Sequence, residues 1–281
     1  MGVQDQYPHV GRDMPSVYDA HHLPHDQAEL IRLAERIIAE KFAPGEISRV
    51  DRRTNTEEGY TFFDTLGFFK SGFITADVIK RLQSGATALS VGVGDAHLEK
   101  LLVEGFDINS SHIMLADRAD YMTTEAKYST SPQVTFDMTE EWPDFEQPFS
   151  LILFPESLEV VAFDQAKIKS PKSVWDTVPE PIKQIREKLE EEKPISQEEV
   201  AAYLAATDKV KPFLREKVAV IKRALGCLAD SGEIRISDTG MPFGTFDTLP
   251  YLRAAFYEHE PPLEISANTI VSIKKPSPKK S

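Results

Sequence analysis

Cysteine is almost missing from these 281 residues: Cys227 stands alone, which excludes an internal disulfide framework and points to a reducing compartment, the cytoplasm. It falls in the helix-like run AVIKRALGCLA and reads as a small buried apolar residue rather than a nucleophile. No apolar run approaches the roughly 20 residues that cross a bilayer, so no membrane partner is expected. The opening stretch, MGVQDQYPHVGRDMPS, is polar and lacks the apolar core of a leader peptide. Positive charge is scarce as well, with 32 Lys and Arg against 45 Asp and Glu and a net charge of -13. Such a surface repels polyanions, because nucleic-acid affinity rests on neutralising phosphates. The basic end, KKPSPKKS, is read as a short solubilising tail over 276–281 and the residues before it. Internal repeats are lacking. His21, His22 and His25 have no further ligand placed by the pattern, so no metal site is expected there.

What is present is a change of rhythm along the chain. Asp26 and Glu29 open a helix in capping-box fashion, with Leu30, Leu33, Ala34, Ile37 and Ile38 on one face and Pro44–Gly45 ending it. Aromatic residues then crowd YTFFDTLGFFKSGF, where Tyr60 and Phe63 read either as part of a packed cap or as the wall of an apolar pocket. Residues 1–70 are thus expected to form an N-terminal extension and helical cap. From Ala86, short apolar runs at Ala88–Val93, His112–Ala116, Val134–Phe136, Ser150–Phe154 and Glu233–Ser237 alternate with helical stretches. That alternation predicts crossovers and a mainly parallel sheet. LEISANTIVSIKK, in contrast, predicts an antiparallel hairpin at the sheet edge, around Ala267–Asn268. Between Phe154 and Gly232 lies more chain than one crossover needs. A charged helical insertion is expected over about residues 165–215, with a second capping box at Ser196 and Glu199.

The stretch LSVGVGDAHLEKLL places Gly92 and Gly94 between an apolar run and a helical pattern. Glycines there let the chain turn tightly and approach a ligand, while the next helix aims its N-terminus at the same spot. A dinucleotide fingerprint would need a third glycine at His97, and a P-loop would need G-K-[ST]; neither is present. Asp117 ends the second apolar run, where a carboxylate accepts from a ribose diol, with Arg118 beside it. Asp137 ends the third, where it accepts from a purine amino group, although both acids are also ordinary strand-end turn residues.

In this order of motifs the chain resembles the class I S-adenosylmethionine-dependent methyltransferases. The family's acid-x-G-x-G-x-G turn is matched by Ser90-Val91-Gly92-Val93-Gly94-Asp95-Ala96, with serine in place of the acid and alanine in place of the third glycine. The resemblance assigns the ribose acid to Asp117 and the adenine contacts to Asp137 and Met138. The strand FSLILFP, ending at Pro155, is assigned to the side of the reacting methyl group. LGCLADSGEIRISD matches the family's long helix, turn at Gly232 and fifth strand. The resemblance covers about residues 70–275. It implies a Rossmann-like, doubly wound α/β fold over 71–275, with a mainly parallel seven-stranded sheet and an antiparallel C-terminal hairpin. Its cofactor would be S-adenosylmethionine, held by Ser90, Gly92, Gly94, Asp95, Asp117, Arg118, Asp137, Met138 and Pro155.

Methyl transfer from a sulfonium needs alignment and, for a hydroxyl or ammonium acceptor, removal of a proton. Glu156 and Asp238, following the fourth and fifth strands, are the candidates for that chemistry, Glu156 equally as an acid at a helix N-terminus. The [ND]-P-P-[YF] signature of amino-group methylation is absent, and FPES does not replace it. Phe243 and Phe246, in DTGMPFGTFDTLPYL, join Tyr60 and Phe63 as candidate walls of a small-molecule acceptor pocket. Two alternative readings of this chain stay open beside a methyltransferase: a non-catalytic methyltransferase-like binding or regulatory protein, and an aminocarboxypropyl transferase using the same cofactor. The helical insertion is the expected surface for a homodimer or protein partner.

Overall fold

The computed structural model describes residues 23–43, 46–47, 65–119, 129–155, 157–158, 178–210, 213–237, 245–267 and 269–277, without the side chains of residues 210 and 245–248. Seven strands form one sheet: β1 Ala88–Val91, β2 Ile113–Asp117, β3 Gln133–Thr135, β4 Phe149–Pro155, β5 Leu228–Ser237, β6 Glu264–Ala267 and β7 Val271–Lys274. Their order is β3-β2-β1-β4-β5-β7-β6. Strands β1 to β5 are parallel, β7 runs antiparallel to β5, and β6 runs antiparallel to β7. This is the doubly wound sheet with a terminal antiparallel hairpin that the resemblance implies.

The central strands read as unbroken apolar runs because both faces of the sheet are covered. Alternate residues divide between two cores, as the period of two in a strand requires. Leu89, Val91, Ile152, Phe154, Ile234 and Ile236 enter one core, while Ala88, Leu151 and Leu153 enter the other. The second core is roofed by α1 (Gln27–Lys41), α2 (Thr65–Lys70), α3 (Ala76–Gln83) and α4 (His97–Lys100). Asp26 caps α1 by accepting from Glu29 N–H at 3.3 Å. The Gln27 side chain then ties that helix to the α2–α3 connection, donating to the carbonyls of Phe69 (2.7 Å) and Ile74 (2.9 Å). Helix α4 continues into a wider π turn over Leu101–Gly105, closed by Phe106 N–H on Leu101 C=O at 3.2 Å.

The long stretch between β4 and β5 carries α5 (Glu180–Glu190), α6 (Gln197–Val210) and α7 (Phe213–Cys227), and α8 (Thr245–Ala255) follows β5. Residues 159–177, at the start of the expected insertion, lie outside the described residues. Ser196 and Glu199 form a reciprocal capping box: Glu199 N–H donates to Ser196 Oγ (3.2 Å), and Ser196 N–H donates to Glu199 Oε2 (2.9 Å). Ser196→Ala removes one of these bonds and is expected to lower the thermal unfolding midpoint by about 2–4 °C, checked by calorimetry. Arg253 of α8 closes the other end of this layer, donating to the Leu189 (2.7 Å) and Glu190 (2.6 Å) carbonyls at the end of α5.

Two local expectations are corrected. Gly232 lies inside β5 rather than ahead of it. The strand pairs with β4 at Leu228↔Phe149 and again at Glu233↔Leu151, so the residues between them bulge out as a turn held within the strand. Cys227 is half-buried at the end of α7, not enclosed. Burial, followed by the nearby Asp144 charge, still pushes its thiol up and keeps it a poor nucleophile at neutral pH.

Candidate functional site

The sheet reverses its winding direction between β1 and β4, and a crevice at the C-terminal ends of strands beside such a reversal is where open α/β sheets bind ligands. The registers align the strand ends there. Val91 lies level with Ala116, Ser90 with Leu153, and Pro155 with Ser237. Gly92 follows one residue after Val91 and two after Ser90, which puts it level with Asp117 and Pro155, so Asp117, Gly92, Pro155 and Ser237 form a row across β2, β1, β4 and β5.

The turn after β1 is built from positive φ angles at alternate positions: Gly92 (φ 78°), Gly94 (φ 55°) and Ala96 (φ 55°). Glycine adopts these without strain; Ala96 does so at a cost of about 1–2 kcal/mol. The third glycine position of the motif thus keeps its backbone conformation although its residue has changed. Asp117, only 7% exposed, holds the turn to β2: its Oδ2 accepts from Gly94 N–H at 2.8 Å and its Oδ1 from Arg118 N–H at 2.8 Å. Gly92 and Val93 N–H groups go to the Ala116 carbonyl (2.7 and 3.4 Å), and Ala96 N–H goes to Val93 C=O (2.9 Å).

Ser90 is fully buried and donates to Glu99 Oε1 of α4 at 2.5 Å. The carboxylate missing from position 90 is thereby supplied from the helix that follows the turn. Glu99 itself is 2% exposed. The sequence signal for this partner was its place one helical turn into a segment whose other inward residues, Leu98, Leu101 and Leu102, are apolar. Asp95 keeps its Oδ1 buried and without a hydrogen-bond partner.

Asp137 forms a local turn: its Oδ1 accepts from the N–H (2.9 Å) and hydroxyl (2.6 Å) of Thr139, while Oδ2 stands 3.6 Å from Arg118 Nη1. The Thr139 hydroxyl bond, helped by the Thr139 N–H and Arg118, outweighs burial and holds the Asp137 carboxyl below its ordinary range. Met138 lies close to the turn, its Cε 3.4 Å from where a Cβ on Gly92 would stand. The structure therefore places Gly92, Gly94, Asp95, Asp117, Met138 and Pro155 around the C-terminal end of β1, with Arg118 and Asp137 paired on the β3 side, while Ser90 is enclosed against Glu99.

Sequence reasoning missed Ser157 and Ser237. Ser157 seats its side chain on Gly92 and donates to the Val91 carbonyl at 2.6 Å. Ser237 ends β5 fully buried, its Oγ without a partner. Neither carries a motif; each is identified by packing alone. Glu156, Asp238, Tyr60, Phe63 and Phe243 lie outside the described residues, and of Phe246 only the backbone, in α8, is described. Two grooves among the described residues lie at the opposite end of the sheet. One, of about 480 Å³, borders Ala88, His112, Gln133 and Phe149; the other, of about 630 Å³, borders Leu225, Asp230, His259 and Lys275. Among the described residues no three His, Cys, Asp or Glu side chains are grouped to hold a metal ion, and no helix is long and apolar enough to cross a membrane.

No protein-family model and no curated protein matches the sequence. Solved structures similar to it include a methyltransferase from Pyrococcus furiosus, 12% identical, covering 89% of this chain and 98% of that one with a TM-score of 0.41. SAM-bound CalS10, an amino pentose methyltransferase from Micromonospora echinaspora, is 13% identical over 65% of this chain and 58% of its own, with a TM-score of 0.32. The CcbJ methyltransferase from Streptomyces caelestis is 10% identical over 56% and 45%, also at 0.32. The chain spans about half the length of the last two. The fold assignment rests on the strand order and registers above.

Proposed function

We propose that the chain is an S-adenosylmethionine-dependent methyltransferase acting on a small-molecule acceptor. One observation carries this reading: at the winding reversal of the sheet, a glycine turn with three positive φ angles is bonded through Gly94 to the buried strand-end acid Asp117. Each carboxylate oxygen can accept more than one hydrogen bond, so a carboxylate in the place of Asp117 can hold the turn and accept from a ribose diol together. The unpartnered Asp95 Oδ1 fits a ligand that brings donors. A diol and an ammonium suit this donor-poor, carboxylate-rich set. When bound, the cofactor supplies a methyl group on a positively charged sulfur.

The chain's own residues have simple tasks in this reading. Asp117 fixes the ribose and the turn together, Met138 offers an apolar surface for the base, and Arg118 with Asp137 borders its rim. Pro155, buried at the end of β4, closes the floor towards the acceptor side. Glu156 and Asp238 are proposed to accept the acceptor's proton, and Tyr60, Phe63, Phe243 and Phe246 to enclose it. The net charge of -13 favours a small acceptor over a polyanion.

Calorimetric titration with S-adenosylmethionine and S-adenosylhomocysteine tests the proposal. Asp117→Ala removes the turn's anchor and the diol acceptor together, and is expected to weaken binding by about 10–100-fold. Unchanged affinity in that variant would sink the site assignment. Release of methylthioadenosine in place of S-adenosylhomocysteine during turnover would instead identify aminocarboxypropyl transfer.

A further inference from the structure

The connection from β3 to β4, residues 136–148, carries no helix, although a parallel crossover ordinarily covers its sheet with one. Met114, Val134, Phe136 and Phe145 are left only partly buried against the first of the two cores. The groove of about 480 Å³ opens there, beside the first residues of β1, β3 and β4, and its size suits a small ligand. Its apolar lining includes Ala88, Met114 and Val134, with Phe145 and Phe149 meeting edge to face at 5.0 Å. Its charged lining has one sign: Asp144 and Glu146 are exposed at it, and no Lys or Arg of the described residues borders it. His112 adds an acceptor. Its Nδ1 meets the Leu82 carbonyl at 2.8 Å and so carries the hydrogen, which leaves a lone pair on Nε2 of the neutral ring.

We propose that this groove is a ligand site in its own right, taking a small amine with an aromatic body and a cationic head. The body covers apolar surface that the helix-free connection leaves half-exposed, and the Phe145–Phe149 pair meets it with aromatic contacts. The ammonium head pairs with Asp144 and Glu146 through charge-assisted bonds. A carboxylate or phosphate in the same place meets two like charges, and a neutral alcohol gains nothing from them. The groove lies at the end of the sheet away from the glycine turn, so this site does not depend on the adenosyl reading.

Titration calorimetry on the full chain with phenethylamine, 2-phenylethanol, phenylacetate and n-butylamine tests this. Phenethylamine is expected to bind about three- to tenfold more tightly than the alcohol, which matches its shape without the charge. Phenylacetate should bind more weakly than either, and n-butylamine, a copy of a lysine side chain, more weakly than phenethylamine for want of a ring. The double variant Asp144→Asn, Glu146→Gln should erase the preference for phenethylamine over the alcohol. Both residues are exposed, so its thermal midpoint should stay at that of the wild type. Glu260→Gln with Glu264→Gln, an equal loss of charge at exposed positions elsewhere, should leave the preference in place. Rising salt should erode the amine's advantage and spare the alcohol. Equal weakening in both double variants overturns the proposal, since the net charge of -13 then attracts the amine without a site. No binding of phenethylamine at about 1 mM overturns it too, as does a preference for phenylacetate. Equally tight n-butylamine would overturn it in favour of a lysine side chain of a protein partner.

Discussion

Glu233→Ala is expected to destabilise the chain by about 3–5 kcal/mol, the effect of leaving buried charge without its counter-ion. Glu233 lies on β5 with a side chain 4% exposed, and each of its oxygens is engaged. Oε1 accepts from Arg235 Nη1 (2.5 Å) and Ser272 Oγ (2.8 Å), and Oε2 from Arg81 Nη1 (2.9 Å). The two guanidiniums continue outward. Arg235 donates to the carbonyls of Phe73 (2.8 Å) and Gly72 (2.6 Å), and Arg81 donates to that of Ser150 (3.0 Å). One carboxylate thus joins α3, β5, β7 and the α2–α3 connection. An exposed pair such as Lys183–Glu180, with side chains 39% and 71% accessible, is worth only about 0–1 kcal/mol. Urea denaturation of Glu233→Ala against Lys183→Ala separates the two cases; similar midpoints would refute the role of the network.

The same carboxylate gives a pH dependence. Burial alone raises the Glu233 carboxyl, but Arg235, the Ser272 hydroxyl and Lys274 outweigh it and hold the group below its ordinary value. A depressed folded-state value means the contribution is fully present above the unfolded value and is lost as pH falls through the folded one. Stability should therefore decline on acidification below about pH 4, the ordinary glutamate range. Glu233→Gln, which no longer titrates, should show a shallower decline in the same denaturation series.

Gly92→Ala is the second large effect. An added Cβ would stand 2.1 Å from Ser157 Cβ and 2.9 Å from Ser157 Oγ, at a φ of 78° that alanine resists. The conformation costs about 1–2 kcal/mol and the overlap about 1–3 kcal/mol more. A fall in the thermal midpoint of about 5–15 °C is expected, together with loss of S-adenosylhomocysteine binding. The clash is with a Cβ rather than a flexible side-chain tip, so the backbone beyond β4 or the glycine turn must shift. Ser157→Gly in the same chain should recover the steric part and leave the conformational part. If Gly92→Ala alone retains both stability and affinity, Ser157 does not seat on the turn as described.

Much of this molecule was legible locally. The alternation of apolar runs with helical stretches marked the order of β1 to β5, because a strand buried on both faces needs unbroken apolar residues and a parallel neighbour needs a crossover. Both capping residues, Asp26 and Ser196, were visible, because a cap and its N–H partner lie three residues apart in any helix. Gly92 and Gly94 were visible because a tight strand-to-helix turn demands φ angles that few other residues adopt.

Partners distant in sequence were not legible. Ser90 seemed only to lack an acid, until the fold carried Glu99 back against it across the turn. Gly92 seemed to leave room for a ligand alone, whereas Ser157, 65 positions later, uses that room first. Glu233 and Arg235 lie in a run counted only as a strand, and their burial follows from α3 and the α2–α3 connection, whose Arg81 side chain and Phe73 carbonyl meet them. The sequence by itself determined the elements and the turn, since helix caps, strand periodicity and left-handed glycines are set within a few residues. Only the tertiary structure decided which acids lie at the glycine turn, which are spent on neighbours and which charges are buried. Those outcomes depend on contacts between segments dozens of residues apart, where burial multiplies the strength of every charge and the cost of every missing partner.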